Sequence, residues 1–232
     1  MPAHTQTFQN HLFAFDAGEL GLHKNLMPCV IFGRQNPVLV ANEMMQLDAQ
    51  IVCIKPGVPH RVVVRSGGAD IIYFDGVHLA TTSDDFEMLD PEWAMFPDVF
   101  EHDDPATVTR FRTRLEGTRP PPDPKVIEIV RHLYATPMIR MSQTDLALRL
   151  GLERTQALRH FKYTTGQTFR KYKIWAAILA TARSAHQGEQ IGLAGVDAGF
   201  SDAAHTARTA MATFGMTATD GLSGLTKMRT LD

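Results

Sequence analysis

The chain has 232 residues, 44% of them hydrophobic and 21% charged, room for one large domain or two small ones. That balance excludes disordered, fibrous and disulfide-scaffold proteins. No uncharged apolar run approaches the roughly 18–20 residues of a membrane span; the run Ile174–Ala182 stops at Arg183. Met1–Asp16 has neither a basic start nor a sustained apolar stretch, so no secretory signal is expected. With Cys29 and Cys53 as the only cysteines, the expected location is a reducing cytoplasm, and paired Cys-x-x-Cys metal sites are excluded.

The formal charge of −2 conceals a division. Up to Arg119 there are 9 Lys/Arg against 16 Asp/Glu; from Pro120 onward there are 14 against 9. A basic C-terminal half behind an acidic N-terminal half suggests that one part meets a polyanion and the other does not.

The segment from about Phe8 to Thr82 reads as β. Val38-Leu39-Val40, Ile51-Val52-Cys53-Ile54, Arg61-Val62-Val63-Val64 and Ile71-Ile72-Tyr73-Phe74 are short β-branched or aromatic runs. Asn36-Pro37, Pro56-Gly57 and Ser66-Gly67-Gly68 punctuate them, a pattern that implies a small sandwich or barrel. Cys29 and Cys53 are expected as buried small residues. The segment Ile54–Val62, with His60, resembles the strand-turn-strand of cupin barrels. The usual upstream His-x-His with a Glu is absent; neutral imidazoles at His23, His60 and His78 leave metal binding chemically open, but the expectation is that His60 is a hydrogen-bonded histidine near an effector pocket, with no metal and no cofactor. Asp104-Pro105 then opens a helical pattern with Val108, Phe111 and Leu115 on one stripe, able to pack on the β domain or on a second subunit. Thr118-Arg119-Pro120-Pro121-Pro122-Asp123-Pro124 reads as a stiff linker, because four prolines remove donors and force extended geometry.

Beyond the linker two similar units follow in series. Met141–Leu150 reads as an amphipathic helix with Ser142 and Asp145 at capping-box spacing, although Asp replaces Glu or Gln; Gly151 turns the chain, and a second helix runs from about Arg154 to Thr165, closed by Gly166. Phe169–His186 reads as a long helix closed by Gly188. Ile191–Ala198, the turn residue Gly199, the anchor Phe200 and the caps Ser201-Asp202 then lead into a helix ending near Phe214 and Gly215. Helix, glycine turn and cationic helix make a helix-turn-helix, whose second helix enters the DNA major groove.

From about Pro124 to Leu222 these residues resemble the AraC/XylS-type bacterial transcription regulators. Leu146-Ala147, Gly151-Leu152, Arg159-His160-Phe161-Lys162 and Thr165-Gly166 are similar to the family's first helix-turn-helix. Ala198-Gly199-Phe200-Ser201-Asp202, Ala204-His205, Arg208-Thr209 and Phe214-Gly215 are similar to its second. The sequence departs from the family pattern at Ala157, Thr206 and Ala210, where bulkier apolar residues are usual, at Ala177, where Arg is frequent, and at Ala218, where Pro is usual.

The resemblance implies an α+β chain. A cupin-like sensing or dimerisation domain spans 1–83, a helical connector and linker 84–123, and a DNA-binding domain with two helix-turn-helix units 124–232. It implies base contacts from Thr155, Leu158 and Arg159 in the first reading helix and from Ala203, Ala204, Ala207 and Arg208 in the second. Arginine reads guanine bidentately, and Leu or Ala meets thymine methyls. Arg154, Lys162, Arg170, Lys171 and Lys173 are the phosphate candidates. The expected partners are double-stranded DNA, a small organic effector, a second copy in a homodimer and, for an activator, RNA polymerase; no membrane is involved. The expected function is sequence-specific transcription regulation and not enzymatic. The alternatives are a diverged member acting by protein interaction and a cupin-type enzyme.

Overall fold

A run such as Ala-Asp-Ile-Ile-Tyr-Phe, buried at every position, belongs inside a sheet covered on both faces. In the computed structural model, which describes residues 8–79, 84–101, 104–116, 121–137 and 141–231, it is central. Residues Ala80–Thr82 of the β segment and Thr118–Pro120 of the linker lie outside the described residues. The strands are β1 (Asn10–Phe15), β2 (Gly18–Lys24), β3 (Cys29–Gly33), β4 (Val38–Ala41), β5 (Gln46–Ala49), β6 (Ile51–Ile54), β7 (Pro59–Val64), β8 (Ala69–Phe74), β9 (Phe86–Met88) and β10 (Leu225–Leu231). They form two antiparallel sheets, ordered β10-β1-β8-β3-β6-β9 and β2-β7-β4-β5.

The helices are α1 (Phe96–Glu101), α2 (Pro105–Glu116), α3 (Pro124–Ala135), α4 (Gln143–Leu150), α5 (Arg154–Thr165), α6 (Phe169–His186), α7 (Ile191–Asp197), α8 (Ala203–Phe214) and α9 (Ala218–Gly224). None among the described residues is long and apolar enough to cross a membrane. Two compact units result. One comprises Asn10–Arg119 with Ala207–Leu231, the other chiefly Pro120–Thr206, so the division falls inside α8. The sequence reading instead assigns the whole of 124–232 to one domain.

In the β unit, Leu12, Val30, Phe32, Ile51, Cys53, Ile72 and Phe74 share one face of the six-stranded sheet. Phe111 and Leu115 of α2 join them, so the apolar stripe of this helix packs on the sheet. The Phe111 ring lies 4.0 Å from Phe96, 4.8 Å from Trp93 and 5.6 Å from Phe74, ring pairs that add to ordinary area burial. Arg112 fastens the helix by donating to Asn10 Oδ1 and to the Asp75 carbonyl. Phe13, Ile31, Val52, Ile71 and Tyr73 are buried on the opposite face, as a period of two requires. Cys29 and Cys53 are buried free thiols, and burial pushes the Cys53 thiol up to about 12.

In the helical unit, Phe169, Tyr172, Trp175, Ile178 and Leu179 recur at helical spacing along α6 and are buried in the core. Ala177, where the family often has Arg, is buried too, a place that would desolvate a guanidinium. Strand β10 was not expected from sequence. It pairs residue for residue with β1, from Asn10 opposite Leu231 to Ala14 opposite Lys227.

Candidate nucleic-acid interface

The two helix pairs share one hydrogen-bond pattern at their turns. In the first, the Ser142 hydroxyl accepts from the Asp145 amide at 3.0 Å and the Asp145 carboxylate accepts from the Ser142 amide at 2.8 Å, a complete capping box. This arrangement holds the Asp145 carboxyl below its ordinary range. Helix α4 ends at Gly151 with φ +68°, a left-handed value that favours glycine. There the Gly151 amide donates to Leu148 O and the Leu152 amide to Ala147 O. At the end of α7, Gly199 has φ +102°, its amide donates to Val196 O and the Phe200 amide donates to Gly195 O. The spacings of three and five residues are the same in both turns. Asp202 caps α8, its carboxylate accepting from the His205 amide at 2.6 Å.

The second helices of the pairs therefore correspond position by position. Arg159 is the sixth residue of α5 and Arg208 the sixth of α8, and both are exposed. Thr155 is exposed and Leu158 half-buried on α5; Ala203, Ala204 and Ala207 are exposed on α8. Ala157 and Phe161 face inward, and the Phe161 ring meets Phe169 and Tyr172 edge-on at 5.3 Å each. Ala157, where the family is bulkier, is fully buried. The eighth residue, Phe161 in α5, is Ala210 in α8, and the fourth, Ala157, is Thr206. Thr206 fits only because Gly195 faces it: a Cβ on Gly195 would lie 2.2 Å from Thr206 Oγ1.

Among the phosphate candidates, Arg154, Lys162 and Arg170 are exposed and Lys171 is half-buried. Lys173 is committed to the fold, donating to the Met141 carbonyl at 3.1 Å with its ammonium 5.0 Å from the centre of the Phe169 ring. His160 bonds Asp123 Oδ2 at 2.7 Å and so ties α5 to the cap of α3. Burial pushes the Asp123 carboxyl up, but His160 and the Lys125 amide outweigh it and hold the group below its ordinary value. Gln156 and Tyr163, not singled out from sequence, also stand exposed on α5; their spacing from Arg159 is the signal that places them on its face.

His60 is fully buried on β7 opposite His23 of β2, with ring centres 4.2 Å apart. Its Nδ1 lies 2.8 Å from the Val58 carbonyl, which can only accept, so Nδ1 carries the proton and Nε2 is left as an acceptor in the neutral ring. Burial, and then the neighbouring His23, push the His60 imidazole down to about 4. Among the described residues, no group of three or more His, Cys, Asp or Glu side chains is placed to hold a metal ion. A cleft of about 500 Å³ opens elsewhere in the β unit, and His60 does not line it. Its walls include Phe15, Leu20, Met211 and Met216 with the carboxylates Asp16, Glu19 and Asp220, and no Lys or Arg.

Two sheets followed by helices carrying a repeated helix-turn-helix define the fold of a cupin-like N-terminal region followed by an all-α region with two helix-turn-helix units. Crystal structures of ToxT from Vibrio cholerae share it. ToxT from strain O395 superposes with a TM-score of 0.60 at 11% identity, covering 94% of this chain and 97% of that one. ToxT from strain SCE256 with bound unsaturated fatty acid gives 0.57 at 10% identity, covering 94% and 95%. ToxT bound to (E)-4-(8-methylnaphthalen-1-yl)but-3-enoic acid gives 0.57 at 11% identity, covering 94% and 98%. At this identity the likeness establishes the fold. No protein-family model and no curated protein matches the sequence.

Proposed function

We propose that the chain is a sequence-specific DNA-binding transcription regulator of the AraC/XylS type, with α5 and α8 as its reading helices. The observation that carries this reading is the repeated pair of glycine turns, each followed by a helix with an exposed arginine at its sixth position. Arg159 and Arg208 would then read guanine O6 and N7, while Leu158 and the exposed alanines offer apolar contacts to thymine methyls. Arg154, Lys162 and Arg170 would bind phosphates and fix the register. The test is a mobility shift of the full chain on fragmented genomic DNA over a salt series. Log affinity should fall with log salt at about −0.9 per phosphate neutralised. Absence of any shift at low salt would overturn the reading.

The same proposal gives the β unit an effector, seated in the cleft beside the end of α8. The ToxT ligands named above are acids. Here Asp16, Glu19 and Asp220 surround an apolar floor with no cation among the lining residues, so like-charge repulsion disfavours a carboxylate. The effector expected is neutral or cationic, and a fatty acid should leave the unfolding temperature unchanged.

A further inference from the structure

The second reading helix lacks the anchor that holds the first. Phe161, the eighth residue of α5, is fully buried between Phe169 and Tyr172; its counterpart in α8 is Ala210, which has no ring to insert. The aromatic residue of α8 is instead its twelfth, Phe214, where α5 has Thr165. The Phe214 ring centre lies 6.4 Å from Phe13 of β1 and 6.3 Å from Tyr73 of β8.

The next residue is fixed as tightly. The Gly215 carbonyl accepts from the Gly21 amide at 2.7 Å. Gly215 has φ +70°, and a Cβ there would stand 2.2 Å from Gly21 O and 2.7 Å from His23 Nδ1, so neither the conformation nor the space admits a side chain. Gly21 sits where the β2–β7 register shifts, between Leu20 and His23, and this irregularity is what brings its amide to the helix end. Beyond α9, β10 completes the attachment. It pairs along β1, Gly224 O accepts from the Asp16 amide at 3.0 Å, and Thr226 Oγ1 donates to Ala14 O at 3.1 Å.

We propose that Phe13, Tyr73 and Gly21 of the sheets, together with β10, are positioning elements for the second reading helix. They hold α8 from its C-terminal end, where α8 itself carries Ala210 in place of the inward-facing Phe161 of α5. The departure at Ala210 is thereby offset: the aromatic contact that it lacks is made one turn later by Phe214 against the β strands. The role assigned to α8 rests on the DNA-reading proposal, whereas the anchoring does not.

The experiment uses the full chain and three variants: Phe214→Ala, Phe214→Leu and a chain ending at Gly224. Hydrogen exchange is followed in peptides from α5 and α8, and each protein selects sites from a randomised operator library. Phe214→Ala and the shortened chain should exchange at least 10-fold faster in α8 with α5 unchanged, which also shows that the helical unit remains folded. Their selected sites should lose the sequence preference of one segment and keep the other, and Phe214→Leu should restore most of both. Unchanged exchange in α8 in both disrupted proteins would overturn the anchoring. Equal weakening of both segments would overturn the positioning role. If the unaltered chain selects no site, the DNA-reading proposal fails while the exchange rates still decide the anchoring.

Discussion

Replacing Gly195 by alanine tests the closest approach between α7 and α8. The added Cβ would stand 2.2 Å from Thr206 Oγ1, 2.7 Å from Cγ2 and 2.9 Å from Cβ, more than an ångström inside an ordinary contact at its nearest. Thr206 has little freedom to turn away, because its Oγ1 donates to the Asp202 carbonyl at 3.1 Å. Overpacking of this kind costs roughly 1–3 kcal/mol, and the gain from alanine over glycine in a helix offsets about 0.5–1, leaving a net loss of about 1–2 kcal/mol. Gly192→Ala is the control, since its Cβ would meet only Ala203 Cβ at 3.1 Å, and it should be close to neutral. Urea unfolding followed by Trp175 fluorescence in a Trp93→Phe background reports the helical unit alone. Combining Gly195→Ala with Thr206→Ala removes the two nearest clashing atoms and should recover part of the loss, with a coupling of roughly 0.5–3 kcal/mol expected for residues in contact. If Gly195→Ala is as stable as the parent, or its cost is undiminished when Thr206 is alanine, the reasoning from this contact is refuted.

Arg159→Ala and Arg208→Ala should each cost about 1–3 kcal/mol in operator binding and relax preference in one segment only, while Lys162→Ala weakens all sequences alike and flattens the salt slope; library selection that returns the parental consensus for both arginine variants would show that neither reads bases. Lys173→Ala, by contrast, should lower stability and leave the salt slope unaltered, because its ammonium is spent on Met141 and Phe169; a flattened slope from this variant would count against that assignment. The His60 imidazole is held down to about 4 in the folded chain against an ordinary 6.5, so between those values the unfolded chain binds more protons and stability falls as pH drops. His60→Gln should therefore lessen the loss of urea stability between pH 6.5 and 4, an effect of roughly 3 kcal/mol at most; equal acid sensitivity in parent and variant would contradict it.

The two helix-turn-helix units and the long helix between them were legible almost to the residue because their boundaries are chemical, whereas α3 and α9 were not singled out. Gly151, Gly166, Gly188, Gly199 and Gly215 all take positive φ, and Ser142 caps α4 with Asp145 as its spacing implied. Local rules suffice where a cap or a glycine decides an end. The β half was legible as a class, with the apolar runs at β4, β6, β7 and β8 read directly. Strand β10 was not, for a physical reason. In Leu-Thr-Lys-Met-Arg-Thr-Leu the apolar residues recur every third position, which fits neither a half-buried strand nor a helix. Its partner lies at the far end of the sequence, and Lys227 and Arg229 read as the charges of a surface segment or a guarded sheet edge. Likewise His23 and His60 could both be singled out, but their pairing across β2 and β7 depends on a register shift that no local pattern records. The exposed faces of α5 and α8 followed from periodicity; the commitment of Lys173 to Met141 did not, because it joins elements 32 residues apart.

The pairing of β1 with β10 also sets the order in which the molecule can be completed. His11 and Thr230, whose side chains meet across these strands, are separated by 219 residues. At about 5–20 residues per second, synthesis leaves β1 waiting on the order of 10–40 s for its outer neighbour. During that interval β1 presents Asn-His-Leu-Phe-Ala-Phe as an open sheet edge, the kind of apolar template that recruits other chains. Contacts of such long range also close slowly, since loop entropy must be overcome before pairing rewards it. A nascent chain stalled before Leu225 is therefore the species most exposed to aggregation, and yield in a cell should depend more on chaperone supply and growth temperature than the stability of the finished protein would suggest.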